Sequence, residues 1–178
     1  MGWSQIFLKI AFEKAGSVEG ESEFAAYEKQ IVLLDFDWSM DVASDVIKGI
    51  GTNRQITRRM NASPLTLTKR FDISSTALCN AVATRDRIKS ARITVAQSFA
   101  VEGTAQLRDA FAIEVSDAHI EKIDLDMVSD GKAMVLQENL SIRYSKIKLE
   151  VTPVGRDGTY SKVKSTFIGD FKDSLALK

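Results

Sequence analysis

A single histidine and a single cysteine limit what chemistry this chain of 178 residues can support. His119 stands between Ala118 and Ile120 in an alternating segment. A catalytic base needs an activated nucleophile held against it, and no nucleophile-elbow motif accompanies this one. It reads as a structural or surface side chain. Cys79 lies beside an apolar helical stripe and reads as a small core residue. One Cys and one His do not make a zinc site of those ligands. Asp124, Asp126 and Asp130 with Gly131 resemble a calcium loop at first sight. Such a loop needs an oxygen ligand where Val128 stands and its glycine one residue earlier, so a strand followed by a turn explains them better. Gly49-Ile50-Gly51 lacks the third glycine and following helix of a dinucleotide site, and no Gly-Lys-Ser/Thr phosphate loop exists. Asp35 and Asp37 imitate a carboxylate pair, but solvated alternation opposite Phe36 and Trp38 accounts for them. The residues therefore point to no catalytic centre, no cofactor and no metal. What remains is the basic run Arg54, Arg58 and Arg59, either a solvated stretch or a contact with an acidic surface on a partner.

Composition narrows the class further. Lysine and arginine total 24, as do aspartate and glutamate, so the basic surplus that neutralises phosphates is missing and nucleic acid is not an expected partner. A hydrophobic share of 44% supports a packed core. The length fits one domain spanning residues 1–178. A lone cysteine excludes an intrachain disulfide and fits folding in a reducing compartment. The apolar stretch 6–12 is interrupted by Lys9 and is too short for a bilayer. It lacks a charged leader and a small-residue cleavage site. Gly2 has Ile6 where a myristoylation motif needs Ser or Thr. The expectation is a chain folded in the cytoplasm, not inserted in a membrane, which leaves the cell, if at all, without a cleaved signal.

Period-two alternation, the mark of half-buried strands, dominates the elements that must position these residues. In residues 6–12, Leu8, Ile10 and Phe12 share a face, and Gly16 and Gly20 bracket a polar turn. Over residues 31–40 the set Val32, Leu34, Phe36, Trp38 and Met40 alternates with Asp35, Asp37 and Ser39, predicting one amphipathic strand. Residues 41–63 break the pattern with Gly49, Gly51, Asn53 and four cations, and read as a long connection of functional kind. A strand resumes after Pro64 with Leu65 and Leu67. Ser74 or Ser75 can cap a single helix whose stripe is Ala77, Leu78, Ala81 and Val82, with Arg85 and Arg87 near its end. Strands follow at 91–97, 106–115, 118–128 and 140–151, with turns at Gly103, Asp130-Gly131 and Asp157-Gly158. A weak strand or tail closes the chain over 160–178. The pattern predicts a mainly β domain, two packed sheets or a flattened barrel, with one short helix covering an end.

One stretch carries more than a pattern. Glu138-Asn139-Leu140-Ser141-Ile142-Arg143-Tyr144-Ser145-Lys146-Ile147 resembles the closing strand of the haemolysin-coregulated protein family, the tube subunits of type VI secretion. Other landmarks appear in the family's order: Phe7-Leu8-Lys9-Ile10, the turn Gly20-Glu21-Ser22, Phe36-Asp37-Trp38, Ser63-Pro64, Thr68-Lys69 and Ala91-Arg92-Ile93-Thr94. The resemblance runs from residue 6 to about 155. It departs at Val151, where the family often has an aromatic, and in the tail 155–178, which matches poorly.

The resemblance implies a two-sheet, β-barrel-like fold with one short helix, related to phage tail tubes. It implies homohexameric rings that stack into a tube inside a contractile sheath, a spike protein at the tip, effector cargo in the lumen and export of the tube itself. Arg54, Arg58 and Arg59 then become candidate inter-ring or inter-subunit contacts. Two other readings stand beside it: a tail tube protein of a phage or phage-like contractile particle, and a small β-barrel enzyme or ligand carrier. The last would need a deep pocket with convergent polar groups, and no residues in the sequence announce one.

Overall fold

The computed structural model describes residues 4–47, 55–101, 104–153, 160–161 and 163–171, with side chains left undescribed at 43–47, 55–59, 99–101 and 104–106. The elements in chain order are β1 (Ser4–Phe12), β2 (Gly16–Val18), β3 (Ile31–Leu33), β4 (Asp35–Asp37), β5 (Met40–Ile47), β6 (Gln55–Ala62), β7 (Leu65–Arg70), α1 (Ile73–Ala83), β8 (Ile88–Val101), β9 (Thr104–Ser129), β10 (Met134–Val151) and β11 (Ser165–Asp170). The fold is mainly β with one short helix, as expected.

Nine strands form one antiparallel sheet in the order β2-β1-β8-β9-β10-β7-β4, with β3 beside β1 and β11 beside β10. The ribbon of β3 and β4 closes it. β3 pairs with β1 through Leu8↔Ile31 and Ile6↔Leu33, and β4 pairs with β7 through Phe36↔Leu67. Between them the Leu34 amide donates to the Thr68 carbonyl at 2.7 Å. The sheet thus wraps into a barrel, which hides most strand edges from other chains. Leu8, Ile10, Phe12, Leu65, Leu67, Ile93, Ile113, Leu140 and Ile142 fill its interior, all essentially buried. Leu78 and Ala81 of α1 pack into the same core.

The single strand expected over 31–40 is instead two strands meeting at a bend. Ile31 and Leu33 are buried, whereas Leu34 is exposed and the inward positions become Phe36 and Trp38. Each half serves a different neighbour, β1 or β7, and the bend at Leu34 shifts the phase of alternation by one residue. The break expected between 115 and 118 is not a turn. β9 runs through it, with Asp117 at φ 50, a left-handed position that Asp tolerates better than most residues. Helix α1 is capped by Asp72 rather than by either serine. The Asp72 carboxylate accepts from the Ser74 amide (2.9 Å), while the Ser75 hydroxyl accepts from the Asp72 amide (3.0 Å). Arg85 and Arg87 lie beyond the helix, which has no basic residue in its last turn.

A second, smaller core sits on the outer side of the barrel. Residues 19–30 fold over β1 so that Tyr27 stacks on Phe7, with ring centroids 4.2 Å apart, and packs with Ala96. The Tyr27 hydroxyl donates to Asp109 at 2.5 Å. Burial, and then that bond, raise the phenol well above its ordinary range. Gly20 begins this crossing so close to the chain that a Cβ there would lie 2.5 Å from the Gln30 carbonyl oxygen and from the Ile31 Cα. Gly20→Ala is therefore expected to lower unfolding free energy by about 1–3 kcal/mol. Urea denaturation checks it, and a change within error would show that the crossing yields.

Candidate assembly surfaces

The described residues within 41–63 are mostly strand and not loop. β5 and β6 pair with each other from Met40↔Ala62 to Ile47↔Gln55 and make a two-stranded sheet apart from the barrel. The alternation that seemed broken is that of a hairpin: Met40, Val42 and Val46 on one strand match Ile56 and Met60 on the other at alternate register positions. Met40 is 43% exposed, Val42 62% and Met60 38%. An isolated two-stranded hairpin is at best marginally stable in water, so an uncovered apolar face calls for a partner. Arg58 and Arg59 are strand residues opposite Ser44 and Ala43, and Arg54 lies outside the described residues. The turns at Gly103 and Asp157-Gly158 also lie outside them.

The hairpin's base is clamped to the barrel. Ser39 and Ser63 exchange two bonds of 2.9 Å, the Ser63 amide to the Ser39 carbonyl and the Ser39 amide to the Ser63 hydroxyl. The Trp38 indole N–H donates to the Tyr144 hydroxyl (2.5 Å), which donates to the Ser63 carbonyl (2.9 Å). Burial raises the Tyr144 phenol above its ordinary value. Two residues quoted for the resemblance, Trp38 and Tyr144, are thus the ones that fix where the hairpin leaves the barrel.

At the other end of β7 two further landmarks meet. Lys69 and Glu138 stand opposite each other across β7 and β10, both 0% exposed. The Lys69 ammonium donates to the Arg70 carbonyl (2.8 Å) and the Ser75 hydroxyl (2.9 Å), and it lies 2.9 Å from Asp72 Oδ1 and 3.5 Å from Glu138 Oε1. Neither Glu138 oxygen accepts a hydrogen bond. Lys69 therefore ties the cap of α1 to the barrel, with Glu138 as a second, purely Coulombic partner. The signal was present in the sequence: Lys69 shares the phase of Leu65 and Leu67, and Glu138 that of Leu140 and Ile142.

Beyond this pair the core-facing positions of three strands run on past the core and into solvent. Phe71 follows Lys69, its amide bonded to the Leu136 carbonyl (3.0 Å), and Met127 stands opposite Leu136. Phe71 is 42% exposed, Leu125 50%, Met127 58% and Met134 59%. Sequence reasoning missed this apolar pad because its alternation is indistinguishable from that of a buried strand end.

The residues first considered for chemistry are dispersed. His119 is exposed on β9 opposite Arg143. Cys79 is exposed, not in the core: Leu78 and Ala81 face inward, and the next residue after Leu78 turns about 100° away around the helix. The Asp130 carboxylate accepts from the Lys132 and Ala133 amides (3.0 and 2.9 Å), holding the β9–β10 turn with Gly131 at φ 88. Asp124 pairs with Lys122 at 2.6 Å. Among the described residues no three His, Cys, Asp or Glu side chains gather as for a metal, and no helix is long and apolar enough to cross a membrane.

The barrel exterior carries one dense charge row. Lys9, Arg92, Glu114 and Lys148 are consecutive cross-strand neighbours. Arg92 pairs with Glu114, Glu150 (2.9 Å) and Asp109 (3.5 Å), and Lys148 with Glu150 (2.9 Å). Hydrogen bonds from Arg92 and then Lys148 lower the Glu150 carboxyl to about 2. A carboxylate with a lowered folded-state value contributes stability above its unfolded value near 4.5 and loses it as pH falls toward 2. Glu150→Gln should therefore flatten the stability loss of the protein between pH 5 and pH 2, measured by urea titration. An unchanged slope would show that Glu150 contributes nothing to it.

Residues 7–151 match a family model described as "Type VI secretion system effector, Hcp". No curated protein matches the sequence. Similar solved structures include Hcp1 from E. coli, with 18% identity, 92% of this chain and 97% of that chain covered, and a TM-score of 0.67. Hcp1 from Salmonella typhimurium has 18% identity, 96% of each chain covered and a TM-score of 0.64. The secreted protein Hcp3 from Pseudomonas aeruginosa has 18% identity, 96% and 99% coverage and a TM-score of 0.59. At such identities the structures establish the fold.

Proposed function

Because the chain belongs to the Hcp family of type VI secretion proteins, we propose that it is a structural subunit of the inner tube, working by self-assembly and not by turnover. Copies close head-to-tail into hexameric rings, and the rings stack into a tube whose lumen carries effector proteins. A contractile sheath surrounds the tube and a spike protein sits at its tip. The protein leaves the cell through that machine. A head-to-tail interface that closes on itself gives a ring with no free end.

The observation that carries this reading is the family match, which spans the barrel from β1 to the end of β10. The β5–β6 hairpin supports it, since its apolar face has no cover among the described residues of its own chain. Arg54, Arg58 and Arg59 belong to the same segment, and we assign them to the contact between rings.

Native mass spectrometry of the full chain tests the assembly. A species at six times the 19.7 kDa chain is expected, and monomer alone across a wide concentration range would overturn the reading. Export is followed in cells with and without a working contractile machine. Release should depend on the machine, and equal release from both strains would overturn that part.

A further inference from the structure

Strand β10 changes partner partway along one of its sides. β9 holds the other side along its length, while here β7 covers Gln137 to Ile142 and β11 covers Lys146 to Val151. Residues 143–145 form a notch between the two, and Tyr144 points from it into the barrel core, 4% exposed. The hairpin leaves the barrel on one side of this notch, where Ser63 and Pro64 lead into β7. The chain's C-terminal strand ends on the other side, where the Phe171 amide donates to the Ser145 carbonyl at 2.7 Å.

Phe167 and Gly169 of β11 and Phe171 just past it share one phase and face the core, whereas Ile168 is 72% exposed. The Phe171 ring stands edge-on to Tyr144, with centroids 6.2 Å apart and planes at 78°. Gly169 makes room for it: a Cβ there would lie 2.8 Å from Phe171 Cε2 and 3.2 Å from Phe167 Cε1. Tyr144 in turn accepts from the Trp38 indole and donates to the Ser63 carbonyl. A continuous chain of contacts thus runs from β11 through Tyr144 to the base of the hairpin.

Among the described strands β11 pairs with β10 alone, and four of its six residues are exposed. A short, exposed, singly paired strand is the kind of unit that opens at low free energy. It also lies beyond residues 7–151, which match the family model. We propose that β11 and Phe171 form a strap that sets the stance of the β5–β6 hairpin through Tyr144. With the strap seated, the Tyr144 ring is pinned and its hydroxyl closes the Ser39–Ser63 clamp. With the strap lifted, the ring loses its support and the clamp opens. The coupling lies within one chain and does not depend on how copies assemble.

Hydrogen exchange of the full chain in dilute solution tests it, with the Ser39 and Ser63 amides read against the Ile93 amide of β8. Phe171→Ala should speed the clamp amides relative to Ile93 by about five- to tenfold, the scale of an edge-on ring contact. Gly169→Ala, which pushes the ring aside without removing it, should act in the same direction, and Phe171→Leu should act less. Gly20→Ala, placed at the crossing over β1, should leave the ratio unchanged. The Tyr144→Phe background separates a strap acting through the hydroxyl from general loosening. There Phe171→Ala should add less than twofold to the clamp ratio, since residues in one chain of contacts are not additive. An undiminished effect in that background would overturn the proposal. So would clamp amides that stay slow while those of residues 165–171 quicken. If Phe171→Ala does not fold, Gly169→Ala is read through the same two backgrounds with the same outcomes.

Discussion

Lys69→Ala is expected to destabilise the domain by about 3–5 kcal/mol, the largest effect of any single substitution considered for this chain. The ammonium it removes is 0% exposed and is bonded to Ser75 and the Arg70 carbonyl while pairing with Asp72 and Glu138. Without it the fully buried Glu138 carboxylate loses its cation, the partly buried Asp72 loses an ion pair, and the cap of α1 loses its link to β7. Glu138→Leu should behave differently. Its oxygens accept no hydrogen bond, so replacing it with an apolar group of similar size strands no donor. Lys69 keeps its other three partners. The expected cost is under about 1.5 kcal/mol, or none. Urea denaturation of both variants, and of the double Lys69→Met/Glu138→Leu, measures the asymmetry. Equal losses for the two single variants would mean that Glu138 holds Lys69 more tightly than its 3.5 Å separation implies.

Reversing Arg54, Arg58 and Arg59 together to glutamate should abolish ring stacking while leaving rings intact. The change turns four cations and no acid in residues 48–59 into one cation and three acids. The acidic partner surface to which the arginines are assigned would then meet acids in place of cations. Like charges across an interface cost several kcal/mol, and 2.7 kcal/mol is already about a hundredfold in affinity. The concentration needed for tubes should rise at least that far, read by sedimentation and by microscopy of negatively stained particles. Wild-type stacking should also weaken as salt rises, since exposed charges are screened. Tubes that assemble unchanged after the triple reversal would reduce the three arginines to solvated surface.

The parts of the fold that could be read from residues share one property. Their alternation is set by a single barrel interior. Leu8, Ile10 and Phe12 on β1, Leu65 and Leu67 on β7, and Leu140 and Ile142 on β10 each keep one phase and are buried. Asp130-Gly131 marked its turn because left-handed backbone and a self-bonding carboxylate are local matters. Where one stretch served two neighbours the reading failed. Residues 31–37 serve β1 and then β7, and the phase changes at Leu34.

The assembly surfaces were hidden for a different reason. Val42 and Met60 lie in a stretch whose pattern reads as broken until β5 is paired with β6, whereas Leu125 and Met127 alternate as core strands do. Period two reports that a face is apolar and not whether the same chain covers it. Arg54, Arg58 and Arg59 could be singled out by charge, but that two of them are strand residues of a projecting hairpin needed the pairing of β5 with β6.

The sequence by itself determined a one-helix, mainly β chain, its family landmarks, and the phase that sends Lys69 and Glu138 inward. These follow from local spacing, which each residue expresses wherever its strand lies. Only the tertiary structure decided that the sheet closes through a bend at Leu34, that Lys69 and Glu138 meet, and that hairpin and pad lie at opposite ends of β7. Those facts depend on register between strands far apart in the chain, and alternation along one strand holds no information about its partner's register.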